Sequence, residues 1–162
     1  MNIYFKAKAI PDKKLKYIKL LHYSGAIINL MPKPNLKMGK IIIPNGVYPE
    51  KHELATANVF TKLGKNVEFL SPSQTKKAKT PDVMIDSEVW EMKSPTGASK
   101  YTIQTQFKRA AHQACNLILD SRRTKLGNKY VQKEISKQIL LRKSIKKVKL
   151  ITKSGSVIDF IK

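Results

Sequence analysis

A chain of 162 residues, 41% of them hydrophobic, is long enough to bury a core and too apolar to be disordered. One cysteine excludes an intrachain disulfide, and with three scattered histidines a structural zinc cluster is not expected. The net charge of +21 points to a polyanionic partner.

That charge is unevenly spread. Residues 1–49 carry nine Lys against Asp12, a net +8. Residues 50–93 hold seven acidic and seven basic side chains, and residues 94–120 add +2. Residues 121–153 carry twelve Lys and Arg against Glu134 alone, and the last nine residues are neutral. Basic flanks around an acidic centre fit an enzyme that holds nucleic acid by its phosphates and binds a cation at the bond it cuts. A polybasic membrane binder would lack the acidic centre. No apolar run approaches the ~20 residues of a bilayer span. The charged start Met1-Asn2-Ile3-Tyr4-Phe5-Lys6 lacks the apolar stretch of a secretory signal, so the expected place of action is cytoplasmic.

In chain order, Asn2 to Ala9 alternates weakly, Ala26 to Leu30 is apolar, and Lys40 to Ile43 is a short β-branched run. Met31-Pro32-Lys33-Pro34 breaks any regular element between them. Residues 1–48 are therefore expected to form a small strand-containing portion, and 49–162 the main domain. Pro49 at the first helical position and Gly64 beyond the end bound a helix over about 50–63. Leu54, Ala57, Phe60 and Leu63 make its apolar stripe, and Glu53 falls within that stripe. A carboxylate there requires a salt bridge, a hydrogen bond or a metal.

Asn66 to Leu70 predicts a strand, and Ser71 to Thr80 a polar loop with Lys76, Lys77 and Lys79. Pro81 to Ile85 and Glu88 to Lys93 predict a β-hairpin about Asp86-Ser87. On its second arm Val89, Glu91 and Lys93 share a face, with Trp90 packing on the other. A loop at 94–99 precedes a helix over about 101–114, which buries Ile103, Phe107, Ala110, Ala111 and Ala114. Its Thr102, Gln106, Arg109 and Gln113 form a polar stripe, either solvated or in contact with substrate. Cys115 is expected in the core, Asn116 to Asp120 as a buried strand, and Asn128 to Lys146 as a long basic helix. Val131, Ile135 and Ile139 turn inward there, leaving Lys129, Lys133 and Lys137 outward for RNA or DNA. Val148 to Thr152 and Val157 to Ile161 close the chain as a hairpin. The order α-β-β-β-α-β-α-β-β makes an α/β fold, a mixed sheet flanked by helices.

The chemistry gathers where Asp82 is followed, after eight intervening residues, by Glu91-x-Lys93. Hydrolysis of a phosphodiester needs charge stabilisation on the phosphate, a polarised nucleophile and help for the leaving oxygen. Mg²⁺ or Mn²⁺ takes hard oxygen ligands and keeps several waters. Asp82 and Glu91 supply two ligands, the Met92 carbonyl is a candidate, and Glu53 a further one. Lys93, beside Glu91, would orient or deprotonate the attacking water. His52 and His112 are expected to be bystanders.

Pro81-Asp82…Glu91-x-Lys93 after a glutamate-bearing helix resembles the PD-(D/E)XK nuclease superfamily. Residues 50–160 look more closely like the C-terminal tRNA-nuclease domains of bacterial contact-dependent growth inhibition toxins. That likeness lies in Glu53-Leu54-Ala55-Thr56-Ala57, Val67-Glu68-Phe69-Leu70, Thr80-Pro81-Asp82, Trp90-Glu91-Met92-Lys93-Ser94-Pro95 and Asn116 to Arg123. The resemblance implies a restriction-endonuclease-like core and a metal-dependent endonuclease acting on tRNA. It further implies Glu53, Asp82, Glu91 and Lys93 as the active-site set, and an immunity protein as partner. The rival expectations are a DNA endonuclease of a mobile element and a non-catalytic basic nucleic-acid-binding protein with structural carboxylates.

Overall fold

The computed structural model describes residues 37–72 and 80–162. The strand-containing reading of residues 1–36 and the loop lysines Lys76, Lys77 and Lys79 lie outside them. The described residues form seven strands and three helices. The strands are β1 (Ile41–Ile42), β2 (Val67–Phe69), β3 (Val83–Ile85), β4 (Glu88–Lys93), β5 (Asn116–Asp120), β6 (Lys147–Ile151) and β7 (Val157–Ile161). The helices are α1 (Lys51–Lys62), α2 (Thr102–Ala110) and α3 (Asn128–Leu141).

All seven strands join one sheet in chain order. β2–β3–β4 is an antiparallel meander, β4, β5 and β6 are parallel, and β7 returns antiparallel to β6. β1 runs parallel to β2, so the expected division at 48/49 sets Ile41 and Ile42 apart from the sheet they join.

Alternation along the strands separates two cores. Leu117 and Leu119 of β5, with Val148 and Leu150 of β6, pack against Ile103 and Phe107 of α2 and Val131 and Ile135 of α3. Trp90, Met92 and Ile118 belong instead to the core containing Ala57 and Phe60 of α1. Helices therefore cover both faces of the sheet, as buried parallel strands require. Because Trp90 and Met92 point to the α1 core, period two sends Glu91 and Lys93 to the other face.

Several expectations need correction. Leu63 is exposed and Leu54 only half-buried; Thr56 and Thr61 complete the buried face of α1. The first helical position is Lys51, after the N-cap Glu50, rather than Pro49, while Gly64 takes the positive φ expected beyond the helix end. The helix drawn to residue 114 ends at Ala110, followed by turns. α3 stops at Leu141, where the Arg142 backbone turns extended at φ −107° and ψ 100°. Cys115 is exposed at the foot of β5 rather than buried.

One buried polar contact ties α1 to the sheet. Thr56 Oγ1 donates to Asp120 Oδ2 at 2.8 Å, and Asp120 also accepts from the Arg122 side chain and backbone N–H. Arg122 in turn donates to the Ala55 carbonyl at 2.8 Å. Burial pushes the Asp120 carboxyl up, but the hydrogen bonds from Arg122 and Thr56 outweigh it and hold the carboxyl below its usual range. Asp120→Ala strands Arg122 and Thr56 together and should cost about 3 kcal/mol in urea unfolding. A loss under about 1 kcal/mol would show that this contact does not anchor α1.

Candidate active site

The β-hairpin explains why the Asp82–Glu91 spacing converges. Asp86 and Ser87 both take positive φ, 50° and 63°, as a two-residue type I′ turn requires. That turn fixes the register Ile85↔Glu88, Met84↔Val89, Val83↔Trp90. Just outside the paired residues, Asp82 comes beside Glu91. The Asp82 N–H donates to the Trp90 carbonyl at 3.1 Å, and Asp82 Oδ2 accepts the Met92 N–H at 2.6 Å. The carboxylate is thereby turned onto β4 beside Glu91.

Glu91 is fully buried, 0% exposed, on the sheet's middle strand. Its Oε1 accepts from Lys93 Nζ, and its Oε2 is buried without a hydrogen-bond partner. Burial pushes the Glu91 carboxyl up, Lys93 pulls it back, and the neighbouring Asp82 charge raises it again, to about 7. Asp82 is raised as well, first by burial, against the lowering pull of the Met92 N–H and Lys93. Glu53 contributes to that rise by its negative charge. Two adjacent carboxyls that resist double ionisation form a natural place for a cation.

These groups floor an open cavity of about 600 Å³. Glu53 and His52 of α1 line it on one side, and Thr102, Thr105, Gln106, Arg109 and Gln113 on the other. Lys93, the loop 94–97 and Arg123 complete the wall. The predicted stripe of α2 thus faces the cavity. Lys129, Lys133 and Lys137 lie outside it, on the exposed face of α3. The partner required by Glu53 is a hydrogen bond: its Oε2 accepts the Glu50 N–H at 2.8 Å. Met92 lines the cavity too, and its N–H donates to Asp82 Oδ2.

Among the described residues no three His, Cys, Asp or Glu side chains are gathered as a metal-binding group. Asp82 and the unpartnered Oε2 of Glu91 still fit two hard-oxygen positions of a Mg²⁺-sized ion, the remainder being water. Glu53 lines the same cavity but is committed to the start of its own helix.

Sequence reasoning missed Arg123 and Ser94, whose Oγ is also buried without a partner. A topological signal existed for both. β4 and β5 are parallel, so the segments leaving their carboxyl ends meet at one sheet edge, where open α/β sheets bind ligands. Arg123 Nη1 reaches the Ser94 carbonyl at 3.4 Å across that edge.

Residues 79–157 match the family model of the contact-dependent growth inhibition CdiA C-terminal domain. That segment contains Asp82, Glu91, Lys93, all of α2 and Arg123, but not Glu53. The fold is similar to that of a CdiA-CT/CdiI toxin and immunity complex from Burkholderia pseudomallei, with a TM-score of 0.60. The two chains are 18% identical over 76% of this chain and 100% of the other. No curated protein matches. Among the described residues no helix is long and apolar enough to cross a membrane.

The raised carboxyl yields a pH prediction. Folded Glu91 keeps its proton up to about 7, whereas the unfolded chain releases it near 4.5. The folded state holds more protons between those values, so this stabilisation is full at low pH and is lost as pH rises through about 7. Without divalent ions, the wild type should lose unfolding free energy relative to Glu91→Gln between pH 5 and pH 8. Urea titrations across that range read the difference, and a pH-independent gap would contradict the assignment.

Proposed function

We propose that the protein is a metal-dependent endonuclease of the PD-(D/E)XK class that hydrolyses phosphodiester bonds in tRNA. The observation that carries this is the adjacent Asp82–Glu91 pair with Lys93, at the floor of a cavity rimmed by Arg109 and Arg123. The order of groups also fits: a glutamate on the preceding helix, Asp82 at the lead-in to β3, then Glu91-x-Lys93 on β4.

A divalent cation held by Asp82 and Glu91 would supply charge stabilisation on the phosphate and polarise water. The chain's own groups do the rest. Arg109 and Arg123 neutralise the flanking phosphates and hold the backbone in the cavity. Lys93 Nζ orients the attacking water and sets positive charge beside the phosphate as negative charge grows there. Thr102 and Gln106 are placed to hydrogen-bond phosphate oxygens. Lys129, Lys133 and Lys137 widen the electrostatic footprint along α3.

The choice of tRNA and of a toxin role rests on the partial family match and on the family resemblance of Glu53 to Arg123. A toxin of this kind requires a neutralising partner, and an acidic immunity protein would complement the +21 chain.

Incubation with total tRNA and with plasmid DNA, in Mg²⁺ or Mn²⁺ and in EDTA, tests the proposal. Cation-dependent tRNA cleavage is expected, lowered about 100-fold or more by Asp82→Ala, Glu91→Ala or Lys93→Ala. Binding measured in EDTA should survive Lys93→Ala and should weaken steeply with salt. Cleavage of neither nucleic acid, or undiminished cleavage by any of the three variants, would contradict it.

A further inference from the structure

A second cavity, of about 440 Å³, adjoins the site: Glu53 and Asp82 line both. Its chemistry is different. Where the first cavity is rimmed by cations, the second is walled by Val47, Tyr48, Leu70 and Pro72. Glu53 and Asp82 are the only charged groups among its described lining residues. Such a wall does not attract phosphate.

Tyr48 is the unusual member. It is 90% exposed, so it contributes nothing to the core, yet it is a large aromatic ring set beside the carboxylates. It lies between the turn at Gly46 and the start of α1, with Pro49 following it, so its backbone is positioned by elements on both sides. An exposed aromatic ring next to an apolar hollow, within reach of a phosphate-handling centre, is the arrangement by which proteins stack an unpaired base.

We propose that this cavity is a nucleobase subsite, in which Tyr48 stacks on an unpaired base next to the scissile phosphate. The proposal rests on the nucleic-acid reading of the neighbouring site and deepens it. A stacked base must be out of a duplex, so the enzyme would act on loops or single strands rather than on paired stems. Stacking is tolerant of base identity, so the subsite selects unpaired structure before sequence.

The test is binding in EDTA of a short single-stranded RNA carrying 2-aminopurine, so that no cleavage is needed. Wild-type protein should quench the 2-aminopurine. Tyr48→Ala should weaken binding roughly tenfold and abolish the quench. Tyr48→Trp should retain both, and the salt dependence should be the same in all three, because no phosphate contact changes. Since Tyr48 is exposed, circular dichroism of the alanine variant should be unaltered.

No binding by the wild type, binding by Tyr48→Ala within twofold of wild type, or a lowered salt slope in that variant would each overturn the proposal. Failure of the nuclease reading shows separately, as absence of products when Mg²⁺ or Mn²⁺ is supplied.

Discussion

The placement of Glu91 beside Asp82 is the constraint on which the rest depends. It follows from a two-residue turn: with Asp86 and Ser87 both in the left-handed region, the ladder closes with Val83 opposite Trp90, and Asp82 then bonds to Trp90 and Met92, the residues on either side of Glu91. A turn longer by one residue would send one carboxylate to the α1 core, where Trp90 and Met92 now lie. β4 has neighbours on both sides, which buries Glu91 fully, while half-buried Asp82 beside it opens onto the cavity. The pair is held in a low-dielectric setting where two full charges repel strongly.

Such a pair costs stability. Lys93 offsets part of the repulsion, and the Met92 N–H offsets another part, yet Glu91 still lies near 7 and its Oε2 has no partner. An ordinary core would replace these groups with apolar ones of similar volume at no loss. Around them the fold invests in rigidity, with Asp120 and Arg122 pinning α1 through Thr56 and Ala55. The cavity wall opposite belongs to α2, which is anchored beneath by Ile103 and Phe107. The groups that line the cavity are therefore mounted on elements that cannot drift independently.

Much of this was legible in sequence, for physical reasons that differ by element. The hairpin arms and β5 were readable because alternation is a local signal and Asp86-Ser87 marks the turn. The polar stripe of α2 was readable because helical period places Thr102, Gln106 and Arg109 on one face. The α1 stripe was misjudged at Leu63, since a threonine can replace an apolar residue in a buried face when its hydroxyl bonds a backbone carbonyl or Asp120. Cys115 was misplaced because exposure at a strand's foot depends on what lies beyond it, which no local pattern reports. Arg123 and the Asp120–Arg122–Thr56 tie were invisible for the same reason: each joins residues far apart in sequence. Glu53 required a partner by burial alone, but only the structure shows that partner to be the Glu50 N–H.

The charge distribution now has a geometric meaning. Cations stand on the rim, carboxylates lie on the floor, and a hollow with an exposed tyrosine adjoins them. Water activated at that floor should break the bond to the 3′ oxygen, whereas attack by a neighbouring RNA hydroxyl would need no such carboxylate pair. The most direct measurement is the chemical identity of the product ends after tRNA cleavage. Hydrolysis at Asp82–Glu91–Lys93 predicts a 5′-phosphate and a 3′-hydroxyl, and a 2′,3′-cyclic phosphate would contradict it.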